Sequence, residues 1–196
     1  MGAEMHKKLR QRGFSLLETM IVVAIMMIVG AFSVMAFVSA LQNERAEGAI
    51  QLLKREMQNA RGLAIESRSV YYVTFTAPQT ITTTNYVTTA ATTNALPTGF
   101  SFDTETTSPT APDGYGTGST AVDFGYGITH NPTTAVYFYP DGSARDNLGR
   151  LNGGVVYVAK PGKLASAHAL SVIGATGRVA GWRLANISGT LIWKED

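Results

Sequence analysis

An uninterrupted apolar segment near the N-terminus constrains this chain more than any other feature. Residues 20–41 read MIVVAIMMIVGAFSVMAFVSAL, and no Lys, Arg, Asp or Glu occurs between Glu18 and Glu44. A helix of about 20 such residues matches the ~30 Å hydrocarbon thickness of a bilayer. Surface helices of globular proteins instead carry a polar stripe along one face. The segment therefore predicts a single membrane-spanning helix.

The charges that precede this segment predict its orientation. Four basic side chains, opposed only by Glu4, lie before it: Lys7, Lys8, Arg10 and Arg12. Because basic residues concentrate on the cytoplasmic side of a span, we expect a cytoplasmic N-terminus and an extracytoplasmic remainder. The 196-residue chain has a formal net charge of +2. Without residues 1–13 it would have 12 basic and 13 acidic side chains, a net charge of −1, so the basicity belongs to the leader.

A short motif joins this leader to the apolar segment. Residues 13–18 read GFSLLE and lie before the apolar run, whereas a secretory signal is cleaved after its apolar region. The motif resembles the leader signal of the type IV pilin and type II secretion pseudopilin superfamily, whose pattern is G|FxxxE followed by a hydrophobic helix. The resemblance implies a leader at residues 1–13, cleavage by a prepilin peptidase between Gly13 and Phe14, and N-methylation of Phe14.

Glu18 is the one carboxylate next to the apolar run. An ionised carboxylate costs about 2.5–3.5 kcal/mol at the bilayer centre and less at its edge, which makes such a residue a functional candidate. The resemblance implies that Glu18 pairs with the Phe14 amine of a neighbouring subunit during filament assembly. The alternative is that Glu18 lies among lipid headgroups and needs no partner.

The helical pattern continues beyond the apolar segment. Small and apolar residues recur at three- and four-residue steps, at Ala46, Ala49, Ile50, Leu53, Met57, Ala60 and Ala64. We therefore expect a membrane or filament-core helix over residues 14–43 and an amphipathic continuation over residues 44–67. A coiled coil is the weaker interpretation, because fewer than three heptads are available.

The rest of the chain, residues 68–196, predicts an extracytoplasmic β-rich head. Runs rich in β-branched and aromatic residues occur at 70–76, 135–139, 155–158, 169–173, 179–184 and 190–193. Two turns are expected, at Pro140-Asp141-Gly142-Ser143 and at Ala175-Thr176-Gly177. No second long helix is indicated, so the predicted fold class is α+β, with a long N-terminal helix packed on an antiparallel sheet.

Residues 77–120 form a Thr- and Gly-rich interval that differs from the rest of the head. A long irregular stretch within a compact domain is usually a functional loop, and threonine also suits edge strands. We expect a surface insertion here, with a partner-contacting loop as the alternative.

Segments at both ends of the chain narrow the resemblance to minor pilins of the GspH/FimT type. They read LKREMQNAR at residues 53–61, YFYPDGSA at 137–144, and SVI at 171–173 with TGRV at 176–179. The resemblance implies a pilin-like fold located at or near a filament tip.

The sequence offers no catalytic or cofactor motif. His6, His130 and His168 are far apart in sequence, so no metal-ligand spacing exists, and the absence of cysteine excludes thiolate chemistry. The glycine-rich run at 114–119 lacks the Lys-Ser/Thr of a phosphate-binding loop. We therefore expect a protein that is not an enzyme and that uses neither a metal nor a cofactor.

The C-terminal half of the chain is mildly basic, so binding to nucleic acid has to be considered. Its cationic residues are Arg145, Arg150, Lys160, Lys163, Arg178 and Arg183. We interpret them as a solvated face and leave DNA binding, which would be strongly salt-dependent, as an alternative.

The resemblance, taken with the predicted span and β-rich head, implies a structural subunit of a type II secretion pseudopilus, anchored in a bacterial inner membrane by one span before assembly. The expected partners are other pilins or pseudopilins, a prepilin peptidase and an inner-membrane assembly platform. Two alternatives stay open. One is a minor pilin of a type IV pilus, acting in adhesion, motility or DNA uptake. The other is a single-span protein with a β-rich binding head that never polymerises.

Overall fold

The computed structural model describes residues 15–105, 112–116, 118, 120–126 and 133–196, without the side chains of residues 35, 36, 38–40, 42, 43 and 126. The chain divides into two compact units, Met1–Leu41 and Gln42–Asp196. Gly13 and Phe14, for which cleavage and methylation are predicted, lie outside the described residues.

One long helix, α1, extends from Leu16 to Ser67. It covers the apolar run and the amphipathic segment that follows it. The helix ends where Arg68 adopts a left-handed conformation, with φ of 51°. A residue in this conformation directly after the last helical turn is a common way for a helix to stop.

The described residues after α1 form eleven strands. Their bounds are β1 Tyr71–Thr76, β2 Thr80–Asn85, β3 Ala91–Ala95, β4 Ser101–Phe102, β5 Val122–Tyr126, β6 Ala135–Phe138, β7 Ala144–Arg145, β8 Gly153–Lys160, β9 Lys163–Ile173, β10 Arg178–Ile187 and β11 Thr190–Glu195. A short 3₁₀ turn at Pro112–Gly114 lies between β4 and β5.

The strands form two antiparallel sheets. The first has the order β3-β2-β1-β6-β7, and the central β1 pairs Val73 with Thr83 on one side and with Val136 on the other. The second has the order β11-β10-β9-β8-β4, and β5 also pairs with β8. Strand β8 therefore has β9 on one side and, in succession along its length, β4 and β5 on the other. The predicted α+β class with antiparallel sheets is confirmed.

The amphipathic part of α1 supplies one side of the main core. All seven residues of the predicted stripe, from Ala46 to Ala64, are buried. They share one cluster with Val73, Phe75 and Ile81 of the first sheet and with Val156, Leu170 and Val172 of the second. The small residues of the stripe allow close approach of the helix to the strands. Burial of this stripe, rather than helix propensity alone, stabilises this half of the helix.

The two predicted turns are present. Between β6 and β7, the Gly142 N–H donates to the Tyr139 carbonyl at 2.9 Å, with Gly142 at φ of +79°. Between β9 and β10, the Gly177 N–H donates to the Ile173 carbonyl at 2.7 Å. Both glycines adopt positive φ, which side-chain-bearing residues rarely do.

Part of the Thr-rich interval is strand rather than irregular loop. Strands β2 and β3 lie within it, and β3 forms one edge of the first sheet. Its exposed threonines suit an edge strand, because a β-branched polar side chain fits a half-solvated pleated surface. Residues 106–111, 117 and 119 of this interval lie outside the described part of the chain.

Candidate functional site

The first turn of α1 is organised around Ser15. Its carbonyl oxygen accepts hydrogen bonds from the backbone N–H groups of Glu18 and Thr19, at 3.0 and 3.2 Å, and its hydroxyl oxygen lies 3.4 Å from the Glu18 nitrogen. Ser15 is therefore the N-cap, and Glu18 is the third residue of the helix. Residues 15–18 thus fit the Ser-x-x-Glu capping-box pattern, a local sequence signal that lies within the prepilin motif.

This position gives Glu18 a local role in addition to the predicted one between subunits. A carboxylate in the first helical turn interacts favourably with the positive end of the helix dipole, by about 0.3–1 kcal/mol. The Glu18 side chain is exposed, so it is accessible to a partner. Because Phe14 lies outside the described residues, the pairing of Glu18 with a Phe14 amine stays a prediction.

The apolar side chains that follow form an uncovered surface. Across Leu16–Val34 the large apolar residues are between 42% (Val22) and 78% (Leu16) exposed. This stretch has a mean hydropathy of 2.3 and none of it is buried, and it is long and apolar enough to cross a membrane. An apolar surface of this extent needs lipid or other protein helices around it.

The hydroxyl groups of Thr19 and Ser33 within this stretch are compatible with an apolar environment. The Thr19 hydroxyl donates to the Leu16 carbonyl at 2.8 Å, and the Ser33 hydroxyl donates to the Val29 carbonyl at 2.9 Å. Each hydroxyl is satisfied by its own helix, which removes most of the cost of leaving it away from water.

Most of the basic residues considered for DNA binding lie near carboxylates of the head. Four of the six lie beside carboxylates: Arg145 beside Asp141, Arg150 beside Asp146, Arg178 beside Glu195 and Arg183 beside Asp196. A phosphate backbone would have to compete with these carboxylates for each guanidinium. The charge arrangement therefore gives the DNA alternative no support.

The turn between β6 and β7 contains a carboxyl group whose pKa is lowered by its hydrogen bonds. Hydrogen bonds from the Ser143 hydroxyl and N–H, followed by one from the Arg145 guanidinium, lower the pKa of Asp141 from 3.8 to about 2. These bonds fix the turn that the sequence predicted at residues 140–143.

The head also brings together three side chains that sequence spacing does not connect. Glu47 of α1, His168 of β9 and Asp196, which follows β11, place their ligand atoms within 4.8 Å of one another. These residues lie on three separate elements, so no local motif signals the cluster. Among the three histidines considered from sequence, His168 is the one within the described residues, and its neighbours come from the fold rather than from spacing.

Comparison with known proteins adds one finding. A family model for the prokaryotic N-terminal methylation motif matches residues 8–34, a range that includes Gly13, Phe14, Glu18 and the apolar start of α1. No curated protein and no solved structure shows a significant match to the chain. The chain carries a type IV pilin-like prepilin signal on a single apolar N-terminal helix, which supports membrane anchoring, processing by a prepilin peptidase and assembly with other pilins.

Proposed function

We propose that this chain is a minor pseudopilin of the GspH/FimT type, a structural subunit of a type II secretion pseudopilus. One observation carries the proposal: a prepilin methylation motif over residues 8–34 runs directly into a helix whose apolar side chains are exposed. A helix of this kind has two suitable environments, the bilayer and a bundle of similar helices. A filament subunit would use the two in turn: the bilayer before assembly, and the bundle of helices afterwards.

Processing prepares the N-terminus for that transfer. Cleavage between Gly13 and Phe14 removes the four basic side chains of the leader, which would hold the N-terminus at the cytoplasmic membrane surface. The apolar helix stays with the mature chain. In the proposed assembly step, the Glu18 carboxylate pairs with the Phe14 amine of a neighbouring subunit, so neither charge enters the apolar filament core alone.

The head is proposed to lie outside the cytoplasm, at or near the filament tip. The segments that resemble GspH/FimT proteins lie on α1 and in a reversal of the first sheet. Residues 53–61 lie on α1, where Leu53, Met57 and Ala60 face the core, and residues 137–144 form the reversal between β6 and β7. The proposed work of the head is binding of neighbouring subunits rather than catalysis.

A minor pilin of a type IV pilus is the related alternative, since the same prepilin signal serves both machines. A single-span protein that never polymerises is the alternative from a different class. It would keep the span and the β-rich head but would never leave the membrane.

Assembly in a defined host tests the proposal. The full chain, tagged at its C-terminus, is expressed in cells that carry either a type II secretion system or a type IV pilus, and surface filaments are sheared and collected. We expect the chain in secretion pseudopili and expect its loss from them when the prepilin peptidase gene is deleted. Recovery only in type IV pili would replace the proposal by the minor pilin alternative. Recovery only in membranes, in both hosts, would replace it by the non-polymerising protein.

A further inference from the structure

A group of polar side chains in the head has chemistry that filament assembly does not use. The Nε2 atom of His168 lies 3.9 Å from the Glu47 carboxylate, and Asp196 completes the group within 4.8 Å. All three residues belong to the unit Gln42–Asp196. The Asp196 N–H donates to the Gly181 carbonyl at 3.0 Å, which holds the third residue in place against β10.

The imidazole of His168 is the buried member of the group, and one of its ring nitrogens lacks a hydrogen-bond partner among the described residues. The residue is only 4% exposed, and its Nδ1 lies 3.0 Å from the Ser166 carbonyl oxygen. A carbonyl oxygen only accepts hydrogen bonds, so Nδ1 carries the proton and, in the neutral ring, Nε2 presents a lone pair. Within the described part of the chain, Nε2 has no hydrogen-bond partner. A buried polar atom without a partner is rare in native proteins and points to an unassigned ligand.

His168 is among the residues that line an open cavity of the head. The cavity has a volume of about 580 Å³ and is lined by Glu44, Glu47, His168 and Arg183, among others. The Glu47 side chain is 47% exposed, so it can rotate towards a ligand at little cost. The carboxylates of Glu44, Glu47 and Asp196 outnumber the single guanidinium of Arg183, which favours a cation over an anion.

We propose that Glu47, His168 and Asp196 form a site for a divalent transition-metal ion of the Zn²⁺ class. One imidazole nitrogen and two carboxylate oxygens are a donor set that suits Zn²⁺, whereas Ca²⁺ and Mg²⁺ prefer oxygen ligands alone. The hydrogen bond from Nδ1 to the Ser166 carbonyl is the kind of outer contact that orients metal-binding histidines. Water would occupy the fourth position.

The geometry requires a small contraction. Ligands at about 2.0–2.2 Å from a tetrahedral ion lie roughly 3.3–3.6 Å from one another. The atoms of the cluster are up to 4.8 Å apart. Closing that difference needs about 1 Å of movement, which rotation of the Glu47 and Asp196 side chains would supply while the buried His168 stays fixed.

Arg183 is a competitor at this site. Arg183 lies opposite His168 in the antiparallel pairing of β10 with β9. Its Nε lies 3.9 Å from an Asp196 carboxylate oxygen. That distance is too long for a hydrogen bond, and the Arg183 side chain is about half exposed, so it can swing into solvent. When the ion binds, it takes over the neutralisation of Asp196. Removing this guanidinium should therefore strengthen metal binding.

A bound ion would connect three elements of the head. Glu47 lies at the start of the buried stripe of α1, His168 lies within the second sheet, and Asp196 follows its last strand. Because the ion binds the folded arrangement and not the unfolded chain, it should raise the unfolding temperature of the head in proportion to its affinity and concentration.

Calorimetric titration of ZnCl₂ into the metal-free full chain in detergent micelles, without a histidine tag, tests the site. We expect one Zn²⁺ per chain and a binding constant weakened about tenfold or more in both Glu47→Gln and Asp196→Asn. Glu44→Gln is the matched control, because Glu44 lines the same cavity without belonging to the cluster, and we expect binding within about twofold of the original chain. Arg183→Gln should tighten binding.

Three results would overturn the proposal. The first is no saturable Zn²⁺ binding, and the second is unchanged binding in Glu47→Gln and Asp196→Asn. The third is weaker Zn²⁺ binding in Arg183→Gln, which would contradict the competition between this guanidinium and the ion for Asp196. The Glu47 side chain is 47% exposed and the Asp196 side chain 21%, and each amide keeps the size of the carboxylate that it replaces, so both variants should fold; circular dichroism verifies this. The outcome is independent of filament assembly.

Discussion

The carbonyl oxygen of Gly142 lies where a side chain on Gly177 would have to be. A Cβ atom built on Gly177 would come within 2.1 Å of that oxygen. The same oxygen accepts a hydrogen bond from Arg61 Nε at 3.0 Å. Gly142 belongs to the turn between β6 and β7, Gly177 to the turn between β9 and β10, and Arg61 to α1. The helix and one turn from each sheet therefore meet at a single backbone carbonyl.

Replacement of Gly177 tests this contact. We expect Gly177→Ala to destabilise the head by about 3 kcal/mol or more, from left-handed strain at φ of +59° together with the backbone overlap. Gly189→Ala is the matched control, because Gly189 also has a positive φ of +87° but no atom near its Cβ position. It should cost only about 1–2 kcal/mol, from strain alone. Equal losses in the two variants, measured by thermal unfolding in detergent, would show that the overlap is relieved without cost.

The Arg61 side chain provides the second test of the same junction. Arg61→Met keeps much of the aliphatic stem but removes the charged donor to the Gly142 carbonyl, and we expect a loss of about 1.5–3 kcal/mol. Arg55→Met removes an exposed arginine from the same helix and should change stability by less than about 0.5 kcal/mol. Indistinguishable unfolding temperatures for the two variants would contradict a stabilising role for the hydrogen bond.

Much of the fold follows from local patterns in the sequence. The 3.6-residue stripe from Ala46 to Ala64 predicts the buried helix face, and the Pro140–Ser143 turn is visible from its residue types. The contact between the turns at Gly142 and Gly177 cannot be seen in the sequence, because it depends on how the shared helix positions the two sheets. The cluster of Glu47, His168 and Asp196 also cannot be seen in the sequence, because the fold brings its residues together from three separate elements. The prepilin signal, in contrast, can be seen in the sequence. A peptidase recognises a short segment, so all of the residues that form the signal are close together along the chain.

Acid should weaken the turn between β6 and β7. Hydrogen bonds from Ser143 and Arg145 lower the pKa of Asp141 from 3.8 to about 2. A lowered folded-state pKa means that the stabilisation is fully present above about pH 4 and is lost as the pH falls through about 2. The Asp141 side chain is 54% exposed, so screening limits the effect to about 1 kcal/mol, or roughly 2–4 °C in unfolding temperature.

Asp141→Asn isolates this contribution, because asparagine keeps an acceptor in the turn but cannot ionise. We expect the variant to unfold a few degrees below the original chain at pH 6, and the difference to shrink towards zero near pH 2. Other carboxyl groups titrate in both proteins and cancel in the comparison. A difference that is constant with pH would assign the loss to turn geometry instead of charge.

The position of Glu18 within a capping box allows its two roles to be separated. Glu18→Gln keeps a side chain suited to the third helical position but removes the negative charge, whereas Ser15→Ala removes the cap and keeps the charge. We expect both variants to be processed. Filament incorporation should fall sharply in Glu18→Gln and stay near normal in Ser15→Ala, with sheared filaments quantified by immunoblotting. Normal incorporation of Glu18→Gln would exclude the charge-pairing role.

The decisive experiment measures the intact mass of the chain after expression with and without a prepilin peptidase. It tests whether the chain is a prepilin that is cleaved between Gly13 and Phe14. With the peptidase, we expect the loss of residues 1–13 and the gain of one methyl group on Phe14, located by fragmentation of the N-terminal peptide. Gly13→Val, which places a β-branched side chain at the cleavage position, should block this change, while Gly2→Val in the same leader should not. An unchanged mass in the presence of an active peptidase, or normal processing of Gly13→Val, would contradict the account.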